Sequence, residues 1–98
     1  MGSTRKGRVI DVALRKKGFR CEKDGKHIWY YFRESSGDDS SVKVMMSHGM
    51  MGISLSAGLI GDMARQLHLT KMQFLLLIDC PLDETGYRAI LEELGVIS

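Results

Sequence analysis

The stretch Lys23–Arg33, KDGKHIWYYFR, leaves this chain fewer structural choices than any other segment. Asp24-Gly25 is a tight-turn pair, because glycine adopts the positive φ that short hairpin turns require. Phe19–Lys23 before it and His27–Arg33 after it alternate in polarity or carry aromatics, so the segment predicts a β-hairpin. Four consecutive aromatics cannot share one side of a strand, since successive side chains point to opposite faces. Ile28, Tyr30 and Phe32 make the better core set, which forces His27, Trp29, Tyr31 and Arg33 outward.

The rest of the chain falls into place around this hairpin. Thr4–Lys17 reads as a helix, with Thr4 as its cap, Val9, Ile10, Ala13 and Leu14 on one face, and Gly18 as its stop. Glu34–Ser41 reads as a polar loop and Val42–Met46 as a third strand, with Val42, Val44 and Met46 inward and Lys43 outward. In the first strand Phe19 and Cys21 point inward, leaving Arg20 and Glu22 outside. Ser56 caps a helix to about Leu67, with Leu59, Ile60, Met63 and Leu67 inward. Thr70 and Gln73 match a capping box that opens an apolar helix, which Pro81 breaks. Asp83 caps a last helix with Tyr87, Ile90, Leu91 and Leu94 as its stripe and Gly95 as its stop. The predicted fold class is α+β: a two-layer domain of three antiparallel strands with helices on one face, plus C-terminal helices.

Ninety-eight residues suit a single domain over 1–98, and 44% apolar with 27% charged residues is a globular composition. No apolar run approaches the roughly 18–20 residues of a membrane span, which argues against a membrane partner. Cys21 and Cys80, without CxxC spacing, read as free thiols of a cytoplasmic protein. Charge is divided unevenly: ten basic against three acidic residues as far as Arg33, then four against nine. A basic first third suits a polyanion such as nucleic acid, and the plain alternative is a solvated surface.

A sheet covered on one side leaves Arg20, His27, Trp29, Tyr31, Arg33 and Lys43 on its open face. Cations interleaved with flat aromatics are what stacking on unpaired bases and pairing with phosphates require. Histidine adds proton chemistry near neutral pH, which cleavage of RNA through its own 2′-OH needs. The competing reading packs Trp29 and Tyr31 under the C-terminal helices and leaves His27 as a turn residue. An acid partner for His27 is not visible in the sequence; His48 or Tyr31 would serve only if the fold brings one of them close.

The chain resembles the HicA (YcfA-like) toxins of HicAB toxin–antitoxin systems. The resemblance rests on Lys16-Lys17-Gly18-Phe19 ending a basic helix, and on Gly25-Lys26-His27 followed by Trp29 and Tyr30 in a hairpin. It continues with a strand, Val42–Met46, running to His48, and a helix opening Gly58-Leu59-Ile60. It spans roughly Lys6 to Phe74, giving a HicA-like core over 4–74 and a helical extension over 75–98 read as extra core. The resemblance implies a double-stranded-RNA-binding-domain-like fold and a metal-independent endoribonuclease that cleaves messenger RNA with a hairpin histidine, here His27. It also implies a HicB-like antitoxin protein as partner. Lys26 stands where the family carries serine, and the proline that precedes the family's second histidine is absent. On this reading Lys26, Arg20, Arg33 and Lys43 hold phosphate and Trp29 or Tyr31 stacks a base, with no cofactor and no metal. The alternative is a non-catalytic RNA-binding or protein-interaction module of the same fold, and a homodimer through the extension is a further option.

Three other features of the sequence bear on function. Met45, Met46, His48, Met50 and Met51 offer soft ligands of the kind that hold Cu(I), against a plain reading of Met46 as core and the others as loop lining. His68 reads as a structural residue at a helix C-terminus. The run SAGLIG lacks the GK[ST] ending of a phosphate loop, so Gly58 and Gly61 read as packing glycines.

Overall fold

The structure, a computed structural model, describes residues 4–79 and 81–97. In chain order the elements are β1 (Arg5–Lys6), α1 (Gly7–Lys16), β2 (Arg20–Asp24), β3 (His27–Arg33), β4 (Asp39–Ser47), β5 (Ser54–Leu55), α2 (Ala57–Gln66), α3 (Lys71–Ile78) and α4 (Glu84–Glu93). A short 3₁₀ turn, His48–Met50, links β4 to β5. The three-stranded antiparallel sheet has the order β2-β3-β4, and β1 pairs with β5 in a separate two-stranded ribbon. The domain is 19 Å across its thinnest direction, room for one sheet and one helix layer. The α+β class and the helices on one face of an antiparallel sheet are therefore as the sequence predicts.

The alternation read from β3 holds residue by residue. Ile28, Tyr30 and Phe32 are fully buried, as are Val42, Val44 and Met46 beside them on β4. The hairpin turn falls one position later than expected: Asp24 and His27 are the last paired residues, so Gly25 and Lys26 form the turn. Positive φ there belongs to Gly25 alone, at 57°, the pattern of a type II′ turn.

Helix α1 differs from expectation at its start. Thr4 does not cap it; Lys6 occupies the cap position without a side-chain bond. The orphan donors of the first turn go instead to the backbone of the segment leaving β4: Gly7 N–H donates to the Ile53 carbonyl and Arg8 N–H to the Met51 carbonyl, each at 3.0 Å. So close an approach needs glycine, because a Cβ on Gly7 would stand 2.0 Å from the Met50 carbonyl oxygen. Val9, expected in the core, is 47% exposed, whereas Asp11 is buried with Ile10, Ala13 and Leu14. The rotation has a physical cause: Tyr30 donates its hydroxyl proton to the Asp11 carboxylate at 2.5 Å, and Arg15 pairs with the same carboxylate. Burying Asp11 is tolerated because both partners satisfy it.

The polar loop is shorter than the sequence suggested, since β4 begins at Asp39 opposite Arg33. The register shifts between Tyr31 and Arg33. At that point the Ser40 hydroxyl donates to the Phe32 carbonyl at 2.8 Å and accepts from Val42 N–H at 3.1 Å, so a side chain completes the ladder.

The remaining helices begin where the sequence placed them. Ser56, Thr70 and Asp83 each accept a backbone N–H three residues on, and Gln73 completes the capping box. Leu59 is only partly buried, and Leu94, expected in the α4 stripe, is exposed. The 74/75 division falls within α3, and residues on both sides feed one core. Tyr87 of α4 lies against Phe32 at 4.9 Å and Phe19 at 5.8 Å between ring centroids, and its hydroxyl donates to the Leu67 carbonyl. The C-terminal helix is thus extra core on the covered side of the sheet. Cys80 lies outside the described residues; Cys21 is a free thiol, half-buried, and that burial raises its pKa. No helix among the described residues is long and apolar enough to cross a membrane.

Gly7→Ala is expected to cost about 3 kcal/mol, since the added methyl meets backbone rather than a movable side chain; a urea midpoint equal to wild type would contradict this. Burial raises the pKa of Tyr30, aided by its bond to Asp11, and burial also raises that of Tyr87. A raised folded-state pKa gives stability that is complete below the unfolded value of about 10 and is lost as pH climbs above it. Unfolding curves should therefore show falling stability above about pH 10, and Tyr30→Phe should be less stable at pH 7 by about 1 kcal/mol but lose less of it on alkalinisation.

Candidate functional site

The uncovered face of the sheet is built in rows. Antiparallel pairing puts Asp24, His27 and Ser47 in one row, Glu22, Trp29 and Met45 in the next, and Arg20, Tyr31 and Lys43 in a third. Arg33 lies beyond, opposite Asp39. The structure thus brings together on one face Arg20, His27, Trp29, Tyr31, Arg33 and Lys43. His27, Arg33 and Lys43 are exposed, while Arg20, Trp29 and Tyr31 are half-buried. Trp29 and Tyr31 are not covered by the C-terminal helices, which pack on the opposite side through Tyr87.

The aromatic pair is a platform. The Trp29 and Tyr31 rings lie 6.3 Å apart at 27° to one another, close to parallel. The Lys43 ammonium sits 5.2 Å from the Trp29 ring centroid and the Arg20 guanidinium 4.6 Å from that of Tyr31. Such placements hold the cations by attraction to the ring faces and orient the rings in turn.

Arg20 is engaged further. It makes a forked pair of bonds to Asp39, at 3.1 and 2.6 Å, and one to Glu22 at 2.8 Å. The bonds from Arg20 hold the Asp39 carboxyl below the usual carboxylate range. A phosphate reaching Arg20 must therefore displace carboxylates, whereas Lys43 and Arg33 make no ion pair of this kind among the described contacts. Other basic residues of the first third also serve the fold. Arg5 is bonded to Asp79, Arg15 to Asp11, and the buried Lys17 ammonium to the Leu82 carbonyl.

Lys26 lies in the hairpin turn, and its carbonyl accepts a bond from the His48 backbone N–H at 3.1 Å. That bond ties the 3₁₀ turn after β4 to the turn beside His27, so the two histidines share one corner of the sheet. Sequence reasoning had left this open, and it missed Asp24 as the cross-strand neighbour of His27. The spacing contained the signal, because a two-residue turn at Gly25-Lys26 makes residues 24 and 27 partners.

The methionine run does not gather. Met46 is core, Met45 is in β4 on the open face rather than in a loop, and Met50 and Met51 pack against the core edge. His68 is exposed beyond the C-terminal end of α2 with φ 62°, a helix-terminating conformation. A concavity of about 390 Å³ lies beside α1, lined by Val9, Val12 and Ile78 together with Lys6, Arg8 and Lys16. No protein-family model, curated protein or solved structure matches this chain.

Lys43→Gln should remove the cation from the Trp29 ring and cost about 0.5 kcal/mol. As Trp29 is the only tryptophan, its emission reports the change directly. An unaltered spectrum together with unchanged stability would show that the ammonium contributes nothing to holding the ring.

Proposed function

We propose that this protein is an RNA-binding domain that uses its open sheet face, and that it cleaves messenger RNA in the manner of the HicA toxins it resembles. The observation that carries the reading is one row of the sheet beside another: the exposed His27 next to the uncovered Trp29–Tyr31 platform. Unpaired bases stack on such rings whatever their sequence, and Lys43, Arg33 and Lys26 supply positive charge around them. A base held on Trp29 leaves the adjoining phosphodiester near the hairpin end of the face, where His27 can exchange a proton with the reacting oxygens. One feature tempers the role of charge: Glu22 and Asp39 occupy and neutralise Arg20, although Lys26 in place of serine adds a cation at the turn.

That neutralisation favours a second reading, in which the face binds a protein partner, a HicB-like antitoxin among them, or binds RNA without cutting it. The readings separate on incubation with single-stranded RNA, with and without chelator. Wild-type cleavage that persists in chelator and is abolished in His27→Ala is the expected result. Binding without cleavage by both proteins leaves the non-catalytic module, and no binding by either abandons RNA. Trp29→Ala should weaken RNA binding about tenfold, as loss of one stacked base requires.

A further inference from the structure

We propose that His48 is the second member of an acid–base pair with His27; this rests on the RNA-cleaving reading. Attack of a ribose 2′-OH on its own phosphodiester forms a 2′-O–P bond and breaks the P–O5′ bond. The 2′-OH proton must go to a base and another proton must reach the departing 5′ oxygen, leaving a 2′,3′-cyclic phosphate and a 5′-OH. One imidazole cannot make both transfers at once, because it either holds the proton or lacks it. A partner is therefore required within reach of the same phosphate.

The fold disposes of one candidate and presents another. Tyr31 is four residues along β3 from His27, a separation of about 13 Å in an extended strand, too far to serve one phosphate. His48 directly follows Ser47, the residue paired with His27 on β4. Pairing distances across antiparallel strands and between consecutive Cα atoms put the His27 and His48 Cα atoms about 6 Å apart. The bond from His48 N–H to the Lys26 carbonyl fixes this approach from the other side, and the Met51 N–H donates to the His48 carbonyl, closing the turn. Both imidazoles belong to exposed residues, so both are open to substrate. Asp24, paired opposite His27 in the same row of the sheet, has a different part: a carboxylate there can orient the ring by accepting a hydrogen bond. Lys26, exposed in the turn next to His27, adds a cation at this corner for the phosphate.

The test uses the full chain, His27→Ala, His48→Ala and His48→Gln, with folding of each checked by circular dichroism. Because His48 is held through its backbone, these substitutions keep the anchoring bonds. On ordinary RNA both alanine variants should cleave at least about a hundredfold more slowly than wild type. The same RNA carrying sulfur in place of one bridging 5′ oxygen has a leaving group that departs without a proton. On it one of the two alanine variants, and only one, should recover to near the wild-type rate; that variant lacks the general acid. His48→Ala or His48→Gln cleaving ordinary RNA at the wild-type rate would overturn the pair while leaving RNA cleavage by His27 standing. Rescue of both alanine variants, or of neither, would equally overturn it. A wild-type protein that leaves RNA intact would bring down the cleavage reading and the pair together.

Discussion

The hydrogen bond from Tyr30 to Asp11 sits where the helix layer meets the sheet, and the arrangement of both layers depends on it. It requires Tyr30 to face inward, and therefore requires Ile28 and Phe32 to do the same. A slip of one residue would turn Trp29 and Tyr31 to the core and carry Tyr30 away from its carboxylate. It also sets the rotation of α1, since a buried Asp11 leaves Val9 and Val12 facing solvent. Hydrophobic burial drives the assembly, and a slipped register would add the cost of a buried Asp11 left with Arg15 alone. The composition of the open face thus follows from a contact made on the other side of the sheet.

Much of this was legible in the sequence because it obeys short-range rules. The alternation in HIWYYFR, the caps at Ser56, Thr70 and Asp83, and the stops at Gly18 and Gly95 depend only on neighbouring residues. The misplacements came where a distant partner decides the local structure. Thr4 was a reasonable cap until carbonyls from residues 51 and 53 took that role. Val9 was a reasonable core residue until Tyr30 drew Asp11 inward. The loop before β4 lost residues to the sheet because Ser40 mends a register shift that no local pattern announces. For the open face, periodicity named the residues but not their pairings: Asp39 holding Arg20 and Lys26 holding His48 are long-range bonds between residues with no sequence relation.

Those pairings refine what net charge can say. The basic first third looked like a single electrostatic footprint, yet Arg5, Arg15, Lys17 and Arg20 have partners within the fold. What stays outward of that third divides between the hairpin, through Lys23, Lys26 and Arg33, and the outer side of α1, through Lys6, Arg8 and Lys16. A formal excess of positive charge is therefore a property of two separate surfaces, each weaker than the sequence total suggests.

The start of α1 has a consequence for how the chain is made. Its first helical donors go to the carbonyls of Met51 and Ile53, and Gly7 leaves room for that backbone. A nascent chain emerging from the ribosome holds this helix open-ended until residues 51 and 53 have been synthesised. The seam between α1 and the segment after β4 is thus formed late, when the β-sheet and the first helix close upon each other, rather than as each element appears.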